Sequence, residues 1–400
     1  MVEPATKSDL QPSSTDDSVK ARQNRLTLAS QMKALLGTWA SLLFVFVLAG
    51  FAVRYTHQSP VTVFIINFIA IVPSNAALGF AVNETLKYVG NTLAGLINTS
   101  FGNAVQLISS ILLLKTRQVA VLRSSLVGTI LQNLLIMTGL SFLLGGLRRR
   151  QQYFNAAVAQ TMRMFLLLAV PSLTIPTVSQ LWGHSTPAGI RGQSRGTAVI
   201  IIMSYGMCLF FQLKTHADMF HEPSEKTPRA DKEKGEAART MASVGAVSAL
   251  VGAQTHQEPL VYDQKDEDDL PELTRFMALG SVLFLTALLA INAEFATSIQ
   301  GIMHSHGVTA SFMGIVVLPI LSNDPFAIDA AMKDNLDISI ALTLERCMQT
   351  ALMVIPLIVL IAWGMGVEGM SLDFDGFSVA ALFASIITVT YVVQEGKSNW

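Results

Sequence analysis

Charge is what this chain has least of. Only 14% of its 400 residues are Asp, Glu, Lys or Arg, against about 25% in ordinary soluble domains, so most of its length cannot form a water-facing surface. Cysteine is nearly absent. Cys208 and Cys347 both lie inside apolar stretches, which leaves no disulfide framework and no CxxC metal site. His184, His304 and His306 read as ordinary surface histidines, with no HExxH spacing among them. No Walker motif, nucleophile elbow or GxGxxG occurs, so ATP-driven pumping and hydrolytic catalysis have no support and the chain does not read as an enzyme. Nothing suggests a nucleic-acid partner or a bound cofactor. The first 25 residues contain no short apolar core, which argues against a cleavable signal peptide.

What is present is apolar sequence, 51% of the chain. A bilayer-spanning helix needs about 20 mostly apolar residues, and ten candidates can be placed: 34–53, 61–82, 92–114, 119–146, 157–180, 197–213, 276–296, 308–331, 338–366 and 376–393. Pro73, Asn75, Gly102, Asn103, Gly128, Asn133, Pro319, Asn323 and Pro325 interrupt them at mid-membrane depth. Such breaks are tolerated where the freed backbone lines a protein-enclosed cavity, a habit of transporters. Residues 1–33 read as a disordered tail and 214–275 as a charged loop ending in the acidic run Asp263–Glu272. The loop separates a first helix plus repeat (34–213) from a second repeat (276–400). Lys20, Arg22, Arg25 and Lys33, the Arg148-Arg149-Arg150 run and the long loop fall on one side, which predicts a cytoplasmic N-terminus; Lys115 and Arg117 weigh weakly against it.

Internal symmetry in a transporter points to a binding site at corresponding broken segments. Phe101-Gly-Asn-Ala-Val-Gln-Leu107, then Gly128-Thr-Ile-Leu-Gln-Asn133, has a faint partner in Leu321-Ser-Asn-Asp-Pro-Phe-Ala327, then Glu345-Arg-Cys-Met-Gln349. The stretch from Gly90 to Gln106 and on to Leu143-Leu-Gly-Gly146 resembles the first repeat of the cation/proton exchanger family, the vacuolar calcium/proton antiporter type of the sodium/calcium exchanger superfamily. Phe154-Asn155, Ala293-Glu294-Phe295, Met332–Asp337, Val354-Ile-Pro356 and Glu395–Trp400 follow in family order. The resemblance implies an all-α polytopic membrane protein with two inverted repeats, about ten spans being present of a usual eleven. The chain stops at Trp400 where the family pattern leads into its last helix, so the second repeat is expected to lack it. It also implies calcium/proton exchange across the vacuolar membrane by alternating access, with calcium and protons as transported ions and with lipid, cations and other copies of the chain as partners.

Calcium wants six to eight oxygen ligands, usually including carboxylates. The family carries a glutamate in each repeat, and this chain departs from that at several positions. Gln106 stands at the first; its carbonyl can coordinate a cation but carries neither charge nor proton. The second falls in Ser322-Asn-Asp-Pro-Phe-Ala327, where Asp324 is the nearest carboxylate. A small Gly-Ser-Ser triplet has become Glu345-Arg346-Cys347, either a new carboxylate at the path or a self-neutralising pair at a degraded site. Cation-path candidates are therefore Asn103, Gln106, Gln132, Asn133, Glu294, Asn323, Asp324 and Gln349, with Glu84, Asp329 and Glu345 as further acids. An opposing expectation is a transport-inactive or ion-switched paralogue acting as a regulatory membrane partner.

Overall fold

The structure is a computed structural model that describes residues 27–36, 44–56, 58–89, 91–148, 151–154, 156–183, 186–212, 272–293, 299–303, 307–322, 325–332, 336–394 and 396–399. Nearly all of it is helical. Helix α1 spans Leu28–Leu36, α2 Phe44–Tyr55, α3 Pro60–Leu86, α4 Asn91–Gly102 and α5 Ala104–Lys115. Helix α6 (Val119–Leu131) runs through a π-helical turn (Gln132–Met137) into α7 (Thr138–Arg148), and α8 (Ala156–Leu181) and α9 (Pro187–Phe210) complete the first half. The charged segment expected as a loop falls almost wholly on 213–271, outside the described residues, and beyond it come α10 (Arg275–Asn292), an irregular helical stretch Ala310–Ser322 and α11 (Pro325–Met332). Helix α12 (Leu336–Gln349) passes through a second π turn (Thr350–Val354) into α13 (Ile355–Gly364), and α14 (Gly376–Val392) follows.

Among the described residues, five stretches are long and apolar enough to cross a bilayer: Pro60–Leu86, Val119–Leu147, Ala159–Leu181, Arg275–Asn292 and Ile338–Gly364. The pair Leu96–Gly102 and Ala104–Lys115, bent by 52°, makes a sixth if taken as one span. Large apolar side chains such as Phe276, Leu283, Phe284, Met203, Met207 and Phe377 stand exposed, as a helix surface bathed in lipid requires.

The structure differs from the sequence expectations in three places. Helix α1 begins at Leu28, inside the segment read as a disordered tail. Helix α9 begins at Pro187, not 197, because the Thr186 side chain accepts the Gly189 amide and proline sits at the first helical position, where no amide hydrogen is missed. Two short strands form that no periodicity announced, β1 (Gln151–Tyr153) and β2 (Lys397–Asn399), paired antiparallel with Gln151 opposite Asn399.

Helix α3 starts on the same kind of cap, Ser59 accepting the Thr62 amide at 3.2 Å with Pro60 behind it. It packs along both α2 and α10. The rest of the core is built by α6 against Met313–Val317, α8 against α12, and α9 against α13, around fully buried Leu122, Leu126 and Ile130. At one crossing the backbones themselves touch. A side chain at Gly128 would put its Cβ 2.6 Å from Ile315 Cα, and one at Gly314 would lie 2.7 Å from the Val121 carbonyl oxygen. Small residues at such crossings let membrane helices approach closely.

Candidate cation-path site

Helix α4 ends at Gly102, the chain turns at Asn103 (φ −100°, ψ 14°), and α5 leaves at 52°. A helix that stops here leaves carbonyls at one end and amide groups at the other without intrahelical partners. Asn103 is buried at the turn, and its Nδ2 donates to the Thr99 carbonyl at 2.9 Å and to Gln349 Oε1 at 2.5 Å. Gln349 in turn donates from Nε2 to Glu345 Oε1 at 2.7 Å. The broken helix of the first half is thereby hydrogen-bonded to Gln349 and, through it, linked to Glu345 four positions earlier on the same face of α12.

One turn further along α5, Gln106 Oε1 accepts the Thr129 hydroxyl at 3.1 Å, a hydroxyl that also lies 2.9 Å from the Ser125 carbonyl. Asn133 donates to the Thr129 carbonyl at 2.9 Å. Gln132 opens the first π turn and Gln349 immediately precedes the second. π turns insert one extra residue into a helix and recur at functional sites because they redirect the side chains beside them. Gln132 is 6% exposed, and its Oε1 and the Ser109 hydroxyl are buried with no hydrogen-bond partner among the described residues. Cys347 reaches the Ile130 carbonyl through Sγ at 3.7 Å, closing α12 onto α6.

The site is therefore an amide-rich seam between halves. Asn103, Gln106, Gln349 and Glu345 are all buried, and of the four only Glu345 can carry charge. The amide oxygens can complete a cation's coordination shell but cannot neutralise it. Among the described residues, no three His, Cys, Asp or Glu side chains gather in a metal-binding group. Arg346 stands beside this seam, its Nη1 donating to the Gly102 carbonyl.

Of the residues singled out from sequence, the structure brings Asn103, Gln349 and Glu345 into one hydrogen-bonded chain and Gln106 and Asn133 around Thr129. Glu294, Asn323 and Asp324 lie outside the described residues, as does the side chain of Asp329. Glu84 is placed elsewhere, at the far end of α3. It is 3% exposed, with Oε1 at 2.6 Å from Lys87 Nζ and Oε2 accepting the amides of Glu272 (2.7 Å) and Leu273 (3.1 Å). Gln31 Oε1 accepts the Thr274 amide at 3.0 Å, and the Tyr88 hydroxyl donates to the Leu273 carbonyl. Thr274 gives α10 no side-chain cap of its own, and the three amides leading into the helix are held instead by side chains of α1 and α3. Sequence reasoning passed over Thr129 and the reach of Arg346. The available signal for Thr129 was its place four residues ahead of Asn133 on the same helix face.

The sodium/calcium exchanger protein family model matches residues 59–214 and 276–400. The chain is 31% identical to the Ca(2+)/H(+) antiporter of Aphanothece halophytica over 87% of each protein. It is 30% identical to vacuolar cation/proton exchanger 5 of Arabidopsis thaliana, over 94% of this chain and 80% of that one. With the vacuolar calcium ion transporter of Schizosaccharomyces pombe it shares 28% identity, over 96% and 86%. Two solved structures share the fold: native YfkE (TM-score 0.63, 23% identity, 92% of each chain) and the H+/Ca2+ exchanger CAX (TM-score 0.61, 16% identity, 92% of this chain and 84% of that one).

Proposed function

Because the chain belongs to the sodium/calcium exchanger protein family, a family of membrane-embedded secondary transporters rather than enzymes, we propose that it exchanges a cation, calcium foremost, for protons by alternating access. The observation that carries this reading is the broken helix at Gly102–Asn103, joined across the chain's two halves to Gln349 and Glu345. Broken helices of this kind hold transported ions near the membrane midplane. The relatives named above, called antiporters and cation/proton exchangers, support the same exchange.

We read ten spans in two inverted repeats, and the long-range contacts fit that count. On one face fall Glu84 with Glu272 and Leu273, β1 with β2, and Arg163 with the Thr390 carbonyl. On the other fall Arg123 with Asp373, and Thr177 with Leu372 and Phe374. The fungal and plant relatives called vacuolar, together with the basic flanks at 20–33 and 148–150, support a vacuolar membrane with the N-terminus in the cytoplasm.

The test is uptake of calcium, sodium or potassium into vesicles holding the purified protein under an imposed proton gradient. Uptake above empty vesicles is expected, and Gln106→Glu is expected to favour calcium over the singly charged ions by at least tenfold, because it adds a carboxylate beside Thr129. No uptake of any of the three by the unaltered chain would sink the transporter reading. It would leave the alternative, a transport-inactive membrane partner.

A further inference from the structure

We infer that Arg346 is a built-in cation, whose guanidinium sits where the first half's broken helix would receive a transported ion and must be displaced before that ion binds. The inference rests on reading the break at Asn103 as the cation site.

A helix C-terminus carries unpaired carbonyls and about half a negative charge, which attract a cation. Helix α4 presents this end at Gly102, and Arg346 donates from Nη1 to the Gly102 carbonyl. The approach is close because residue 102 has no side chain. A Cβ there would lie 2.9 Å from Nη1, 3.3 Å from Nη2 and 3.4 Å from Cζ. The glycine thus makes a seat for a flat cation.

Charge balance points the same way. Beside Arg346, Glu345 is 6% exposed and bonded to Gln349, which receives the Asn103 amide. Arg346 thus meets the break directly at Gly102, and Glu345 reaches it through Gln349, with Asn103, Gln106 and Gln349 contributing no charge. The protein's own arginine already supplies the positive charge that balances Glu345. An incoming ion gains a carboxylate only when the guanidinium leaves, so its apparent affinity is its intrinsic affinity multiplied by the fraction of molecules in which the arginine is displaced. Arg346 is half-buried on a flexible stem, which allows that displacement.

The full-length protein purified in detergent decides the matter through its unfolding midpoint, measured against calcium chloride and sodium chloride with choline chloride matching ionic strength. Arg346→Ser and Arg346→Gln are expected to lower the half-saturating concentration of at least one of these cations tenfold or more, whereas Arg346→Lys, which keeps a tethered cation, should bind like the unaltered chain. If one neutral variant fails to fold, the other is read in its place. The inference is overturned if neutral variants bind at the original concentrations or more weakly. It is equally overturned if Arg346→Lys tightens binding as much as they do, since charge would then not be the cause. Vesicle uptake reports separately on the transporter reading: a cation-dependent midpoint without uptake under any proton gradient would refute transport and leave the displacement intact.

Discussion

Glu84 directs both carboxylate oxygens to the polypeptide itself, holding Lys87 at the cap of its own helix and two amides just ahead of α10. A carboxylate facing a helix N-terminus is doubly favoured, by hydrogen bonds and by the helix dipole. Removing it leaves the buried Leu273 amide and the half-buried Glu272 bond without their acceptor, at about 1.5–3 kcal/mol. Glu84→Ala is therefore expected to lower the unfolding midpoint while leaving cation affinity unchanged, and Glu84→Gln to recover part of the loss through its amide oxygen. Calorimetry with and without cation checks this; a loss of cation binding at an unaltered midpoint would return Glu84 to the ion path. The distinction was not legible in sequence. An acid near the end of an apolar run looks alike in either role, and the partners that decide it lie 188 and 189 residues away. Asn103 and Gln349 were both legible, Asn103 because it broke an apolar pattern and Gln349 because it ended the faint partner of the first repeat, but their contact spans 246 positions and only the fold reveals it.

Among elements, the crossing of α6 with Met313–Val317 is the tightest constraint. Gly128 and Gly314 each face backbone or Cβ atoms where a methyl group would have to go. Overpacking of this kind costs about 1–3 kcal/mol, so Gly128→Ala and Gly314→Ala are each expected to destabilise by that order. Gly139→Ala, with nothing within 4 Å of where its Cβ would stand, should be neutral or slightly stabilising. Because both glycines guard one contact, the double variant should fall short of the sum; strict additivity in thermal unfolding would contradict a shared crossing. The apolar runs announced these elements, and Gly128 stood out within one. The π turns did not stand out, since a single inserted residue changes neither composition nor mean hydropathy. The strands β1 and β2 were silent too, being three residues each and defined only by each other.

For the molecule as a whole, membrane residence was legible from composition because lipid imposes a single requirement on every spanning segment, whereas the seam between halves depends on long-range geometry. The halves hold each other through Asn103 with Gln349, through β1 with β2, and through the Glu84 and Gln31 caps. Separately expressed fragments 1–240 and 241–400 are accordingly expected to copurify when made together, and the second to be degraded when made alone. Equal abundance of the second fragment with and without the first, read by immunoblot, would contradict this. Helix α10 has no side-chain cap of its own, and the residues leading into it, Glu272 to Thr274, meet their acceptors on surfaces that precede them in the chain. During synthesis the first half is therefore a template already standing in the bilayer, and the second half inherits its depth and starting point from Gln31 and Glu84. Insertion order, from N-terminus to C-terminus, thus becomes part of how this chain specifies its own topology.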